Sequence, residues 1–211
     1  VERGAYPAIL TSASAHFSIA RAAVAAGLGT DAVVHIRTDA HGRMDVRELE
    51  RMCAEMQADA AHPQGVPLIV CATSGTTVLG AFDDVAAIAE VCRKYDLWLH
   101  VDASWGGAAA FLPHDAPERS VLAGLENAHS ITINPHKLLG VTHQCSFLLV
   151  HDKSVLIPPS HSDGGYLFHV PAEDALDMAT KTLGCGRRGD ALKFYLVWLR
   201  YGTQGLGDHI A

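Results

Sequence analysis

No stretch of this 211-residue chain is strongly basic, no apolar run is long, and no cysteine pair has the spacing of a metal cage. Each absence removes a class of protein. Lys and Arg number 16 against 23 Asp and Glu, for a formal charge of −7, so the chain lacks the positive footprint with which proteins neutralise nucleic-acid phosphates. His, Asp or Arg interrupts every candidate apolar run before the ~20 residues that a membrane-crossing helix needs. The first residues also lack the charged-then-apolar pattern of a secretory signal. The cysteines, Cys53, Cys71, Cys92, Cys145 and Cys185, are odd in number and contain no C-x-x-C pair. That argues against a disulfide framework and a zinc site, and for reduced thiols in the cytoplasm. No H-E-x-x-H is present, so no metal is expected, and no G-x-S-x-G elbow marks a serine hydrolase.

What is present reads as a packed globular protein. With 49% apolar and 18% charged residues, the composition is neither that of a disordered chain nor of a coiled coil. At ~150 residues per domain the length suits one large domain, or one domain with an appendage. The sequence starts at Val1 without Met and stops just after an apparent helix, so the expectation is a piece of a longer chain.

Apolar runs at 8–11, 32–36, 68–72, 98–102, 130–134 and 146–150 alternate with helical patterns at 18–26, 45–60 and 83–95. Asp45 suits an N-cap, and Val85, Ile88, Ala89 and Cys92 repeat at helical spacing. Strands apolar on both faces, alternating with helices, specify a mostly parallel sheet between helix layers, a three-layer α/β/α domain. Ligands of such sheets bind beyond the strand C-termini. Residues 158–165 are polar and turn-rich, as in a mobile segment. Residues 191–201 read as a final long helix whose apolar stripe is Leu192, Tyr195, Leu196 and Leu199.

The most informative motif, Asn134-Pro135-His136-Lys137, sits where a strand ends. Taken alone, a lysine there is usually a solvated surface residue. Asp102, however, terminates the preceding apolar strand, where an ionised carboxylate is costly without a positive partner. It is followed by Ala103-Ser104-Trp105-Gly106-Gly107, small residues that let something flat lie against the backbone. An amine and an acid, each at the C-terminal end of a buried strand, make a chemical proposal. Lysine condenses with an aldehyde to a Schiff base, and a carboxylate keeps a pyridine nitrogen protonated so that the ring accepts electrons. The pair points to a pyridoxal phosphate site.

Four segments, Thr11-Ser12-Ala13-Ser14-Ala15-His16-Phe17-Ser18, Ala72-Thr73-Ser74-Gly75-Thr76-Thr77, His100-Val101-Asp102-Ala103-Ser104-Trp105-Gly106-Gly107 and Asn134-Pro135-His136-Lys137, closely resemble the group II pyridoxal-phosphate-dependent amino acid decarboxylases. That family includes glutamate, cysteine sulfinate, aromatic amino acid and histidine decarboxylases, and the similarity covers nearly all of residues 8–211. The resemblance implies the aspartate-aminotransferase-like (type I) pyridoxal phosphate fold. It makes 1–150 a cofactor-binding large domain without its N-terminal part and 151–170 the mobile catalytic loop. Residues 171–211 become the helical end leading to a small C-terminal domain beyond this sequence.

Residue by residue, the resemblance implies that Lys137 is the Schiff-base lysine and Asp102 the partner of the pyridine nitrogen. His16 would stack on the exposed ring face near the substrate carboxylate, Thr77 would sit beside the ring and Asp102, and Asn134 and His136 would help hold the phosphate. Ser104 stands under the ring where family members usually have Ala. Tyr166, in Tyr166-Leu167-Phe168, resembles the loop tyrosine that donates a proton to Cα after carbon dioxide leaves; Phe there would suggest oxidative deamination. A π-face partner such as His16 holds the ring flat, so the bond to be broken can stand perpendicular to the π system. The plain alternatives are a helix-start histidine bonded to backbone for His16 and ordinary turn chemistry for Thr77.

Cys185-Gly186-Arg187, with Trp105-Gly106-Gly107 and Tyr166-Leu167-Phe168, resembles the glutamate and cysteine sulfinate branch, which implies an acidic L-amino acid substrate: glutamate, cysteine sulfinate or aspartate. A homodimer with shared active sites is implied by the resemblance alone. Gly184-Cys185-Gly186-Arg187-Arg188-Gly189 fits G-x-G-x-x-G, but no strand pattern precedes it, so a dinucleotide site is not expected. Two other readings stand beside the leading one. They are another carbon–carbon or carbon–sulfur lyase of the same fold, and a non-catalytic fragment or paralogue that keeps the fold without the cofactor.

Overall fold

A computed structural model describes residues 6–59, 62–156 and 188–211. Its centre is a six-stranded sheet in the order β2-β1-β3-β4-β5-β6. The strands are β1 (Pro7–Ser12), β2 (Val33–Ile36), β3 (Val66–Thr73), β4 (Trp98–Asp102), β5 (Ser130–Ile133) and β6 (Phe147–Val150). All neighbours pair parallel except β5 and β6, which pair antiparallel at the sheet edge. This is the mostly parallel α/β sheet expected from the alternating pattern, with all six strands near their expected positions.

Helices α1 (Ser18–Ala25), α2 (Val46–Ala58) and α3 (Val85–Lys94) occupy the crossovers. α2 starts where the Asp45 side chain accepts from the N–H groups of Arg47 and Glu48, which satisfies two of the orphan donors at a helix start. α3 is capped in the same way by Asp84, whose carboxylate accepts from Ala87 N–H. One apolar face of each helix completes the main core. Leu49, Cys53 and Met56 from α2 and Val85, Ile88 and Cys92 from α3 meet Leu10, Val70, Leu99 and Val101 of the sheet. Each fully buried Leu or Ile in that set contributes roughly 1.5–3 kcal/mol of burial free energy. Cys53, Cys71, Cys92 and Cys145 are buried and unpaired. Burial pushes the Cys53 and Cys92 thiols up to about 12, so both stay protonated at neutral pH.

Two expectations need correction. The helix expected from residue 83 begins after Asp84, and Asp83 is a buried tie between loops. Its two carboxylate oxygens accept from Met44 N–H at 2.6 Å and Thr73 N–H at 2.8 Å. Burial raises its pKa while these two donors pull it back. A second strand-end loop is thereby held against the end of β3. The final helix, α4 (Asp190–Ile210), is longer than expected and is broken at Gly202, where φ is +66°. Its apolar stripe faces the other way: Leu192, Tyr195, Leu196 and Leu199 are more than half exposed. Phe194, Val197 and Leu206 instead pack with Phe111, Leu139 and Phe147 in a second, smaller core. The edge position of β6 and the aromatic cluster around Phe111 decide that orientation, and neither is visible in the periodicity of the helix itself.

Among the described residues, no helix is long and apolar enough to cross a membrane. Substituting Asp83→Asn removes one acceptor and sets an amide N–H against a backbone N–H, leaving a buried donor unpaired. The expected cost is about 2 kcal/mol of unfolding free energy, read as a lower urea midpoint at unchanged slope.

Candidate functional site

Parallel strands deliver their C-termini to one edge of the sheet, and here three consecutive strand ends are bonded to one another. Asp102 closes β4 and is flanked in register by Thr73 of β3 and Thr132 of β5. Ser74 N–H donates to Asp102 C=O at 2.9 Å, and Gly106 N–H donates to Ser74 C=O at 3.1 Å. On the other side, Asn134 N–H donates to Ser104 C=O at 3.2 Å, and Lys137 N–H donates back to Asn134 C=O at 2.9 Å. The acid after β4 and the amine after β5 therefore belong to one hydrogen-bonded edge, linked through Ser104 and Asn134.

Beyond this edge lies an open cleft of about 370 Å³ lined by Gly75, Thr76, Thr77, Gly80, Trp105 and Lys137. Its size is within the range of small-molecule and cofactor sites. Lys137 is exposed, and among the described residues its ammonium has no hydrogen-bond or ion-pair partner. The half-buried Asp102 carboxylate accepts from Ser104 N–H at 3.1 Å. Asp102 adjoins the cleft through residues 104 and 105 and is not itself among the lining residues.

The remaining expected site residues take distinct places. Thr77 is exposed on the cleft wall, while its neighbour Thr76 does the turn chemistry, its buried hydroxyl accepting from Ala81 N–H at 2.9 Å. Asn134 contributes a buried side-chain oxygen without a partner among the described residues. His136 turns its Nδ1 to Cys145 C=O at 2.6 Å and lies against the His143 ring, so its Nδ1 is committed within its own loop. Ser104 acts through its backbone, and its hydroxyl takes no hydrogen-bond partner among the described residues. His16 follows β1 on the same sheet edge. Its Nδ1 accepts from Ser18 N–H at 3.3 Å and its ring sits 4.1 Å from that of Phe17, so the helix-start role is present, and His16 is not among the cleft-lining residues. Tyr166 lies outside the described residues, as do Cys185, Arg187 and most of the loop expected at 151–170.

Among the small residues after Asp102, Gly106 has a packing role of its own. Gly106 packs so tightly against the protein that a Cβ would lie 2.5 Å from Ser74 O and 2.4 Å from the Phe82 ring. The glycine lets two strand-end loops approach each other. Trp105, expected only as part of that segment, is instead the aromatic wall of the cleft and leans on Gly75, where φ is +93° and a Cβ would sit 2.8 Å from the indole. The periodicity could not have found Trp105, because its direction depends on how the loops after β3 and β4 cross. Asp83 was likewise missed, since in sequence it looks like an ordinary residue of the helix start. Among the described residues, no group of three His, Cys, Asp or Glu is clustered to hold a metal ion.

Similarity to known proteins bears on the same edge. The chain matches human cysteine sulfinic acid decarboxylase at 46% identity over 206 residues, covering 96% of this chain and 40% of that protein. It matches L-aspartate decarboxylase dtxS4 of Metarhizium robertsii at 44% identity over 204 residues, covering 96% of this chain and 39% of the relative. The chain thus spans about 40% of the length of the curated relatives it matches. Among solved structures, that of mouse CSAD superposes with a TM-score of 0.82 at 44% identity, over 96% of this chain and 40% of that one. With the model of the pyridoxal-dependent decarboxylase conserved domain matching residues 4–211, the chain belongs to the pyridoxal-dependent decarboxylase family.

Proposed function

We propose that this chain carries the cofactor-binding part of a pyridoxal-phosphate-dependent carboxy-lyase that removes the α-carboxylate of an acidic L-amino acid, giving an amine and carbon dioxide. The observation that carries the reading is the Lys137 amine, without a partner among the described residues, on a cleft whose edge is bonded, through Asn134 and Ser104, to the end of the strand that bears Asp102. When bound, pyridoxal phosphate supplies an aldehyde for a lysine amine and a protonated ring that takes up the electrons of a breaking bond.

The residues present fit that group. An amine, a carboxylate, and buried polar atoms without partners among the described residues at Thr73 Oγ1, Ser74 Oγ and Asn134 Oδ1 surround the strand ends, and buried polar groups left unpaired call for an occupant. Lys137 would hold the aldehyde end and Asp102 the pyridine nitrogen, with Thr77 alongside. The Asn134 amide and the free Nε2 of His136 would serve the phosphate. Ser104 would lie beneath the ring, and His16, its Nδ1 engaged by Ser18 N–H, would offer Nε2 and its ring face. Tyr166 would deliver a proton to the substrate Cα. A phenol of pKa ~10 does so only beside a developing negative charge in a closed site.

The names of the relatives, a cysteine sulfinic acid decarboxylase and an L-aspartate decarboxylase, support an acidic substrate. We propose also that 1–150 is the large domain, 151–170 the catalytic loop and 171–211 its helical end, that two copies build each site, and that the protein is cytoplasmic. The four thiols of the described residues, buried and unpaired, support a reducing compartment.

The test uses the full-length protein that contains this chain. With pyridoxal phosphate it should absorb near ~420 nm, as lysine-bound pyridoxal does, and release labelled carbon dioxide from carboxyl-labelled aspartate, cysteine sulfinate or glutamate. Lys137→Ala should lose the band and lower kcat/KM at least ~10³-fold. A colourless protein that ignores added cofactor, or one that releases no carbon dioxide from any of the three, overturns the reading. Tyr166→Phe should keep the band while amine formation falls about 10²-fold or more, measured by product chromatography.

A further inference from the structure

Trp98, His100 and Asp102 leave β4 on one face of the sheet, because alternate strand residues share a face. The register sets Ser130 beside His100 and Thr132 beside Asp102 on β5. Polar groups on this face are joined in sequence. The Trp98 indole N–H donates to Ser130 Oγ at 2.9 Å, Ser130 Oγ lies 2.8 Å from His100 Nδ1, and His100 Nε2 lies 3.3 Å from Thr132 Oγ1.

The donor inventory gives this chain a direction. An indole N–H can only donate, so Ser130 receives from Trp98. Ser130 is buried, and among the described residues His100 Nδ1 is the acceptor within reach of its single hydroxyl hydrogen. The imidazole's own hydrogen is then on Nε2, donated to Thr132, the register neighbour of Asp102 across the ladder. Burial lowers the pKa of His100 and favours the neutral ring, with the Asp102 carboxylate acting the other way. From β3, Cys71 faces His100 in register, its thiol held protonated chiefly by burial, so Asp102 is the charge in this neighbourhood.

We propose that His100 is a positioning residue: the chain Trp98 to Ser130 to His100 to Thr132 ties β4 to β5 beside Asp102 and so fixes the strand end that presents the Asp102 carboxylate at the cleft edge. This rests on the reading of Asp102 as the partner of a pyridine nitrogen. A carboxylate that serves a ring nitrogen must be held in place relative to the ring, and cross-strand hydrogen bonds next to it supply that order.

Two measurements on the full-length protein test it. In the cofactor-free protein with ¹⁵N-labelled histidine, NMR at neutral pH should find the His100 hydrogen on Nε2, and Ser130→Ala should shift the ring toward the other tautomer. In pyridoxal phosphate titrations, His100→Phe and Thr132→Val should each weaken affinity about tenfold with unchanged far-UV circular dichroism. His100→Gln, whose amide keeps a donor toward Thr132, should recover most of that loss. A hydrogen on Nδ1, a doubly protonated ring, or His100→Phe binding like wild type while Asp102→Asn binds weakly overturns this role alone. A wild-type protein that takes no cofactor, or Asp102→Asn that takes it equally well, overturns the reading of Asp102 and this role with it.

Discussion

The hydrogen bond from Asn134 N–H to Ser104 C=O, at 3.2 Å, joins the loop that carries Lys137 to the loop that follows Asp102. Without it the amine and the acid would sit on independent turns. With its companions from Ser74 to Asp102 and from Gly106 to Ser74, it makes one rigid edge out of three loops. Loops ordinarily carry function at the cost of order; here the backbone bonds between loops supply the order. The tight packing of Gly106 against Ser74 and Phe82 belongs to the same constraint, since a side chain there would force the loops apart.

Behind that edge the carboxylates are divided by environment. Asp83 is buried, spends both oxygens on backbone donors and joins the loop before α2 to the end of β3. Asp102 is half-buried and has one oxygen on Ser104 N–H, which leaves lone pairs for another donor. Asp45 and Asp84 cap helices. Of these four carboxylates, only Asp83 has both oxygens bonded to backbone donors among the described residues.

The hydroxyls of Thr73 and Ser74 and the Asn134 amide oxygen are buried without partners among the described residues. Such atoms are costly to leave unpaired. They gather at the ends of β3 and β5, on either side of Asp102, together with the cleft that Trp105 and Lys137 wall. The polar column from Trp98 to Thr132 extends the same arrangement back along the sheet.

Strand and helix positions were legible in the residues themselves, because alternation of apolar runs with helical repeats is a local property and the central strands are buried on both faces. The acid and the amine at strand ends were legible for the same reason: a parallel sheet sends all its strand C-termini to one edge. Side-chain direction off the regular elements was not. Trp105 became a wall and Gly106 a packing point because two loops cross there, and Asp83 left its expected helix because two backbone donors from distant segments converge on it. The stripe of α4 faces outward because Phe194 and Val197 meet Phe111 and Phe147. Residue order is enough to say which chemical groups stand at which strand ends; which of them share a cleft depends on contacts between segments far apart in the chain, and those exist only once the chain has folded.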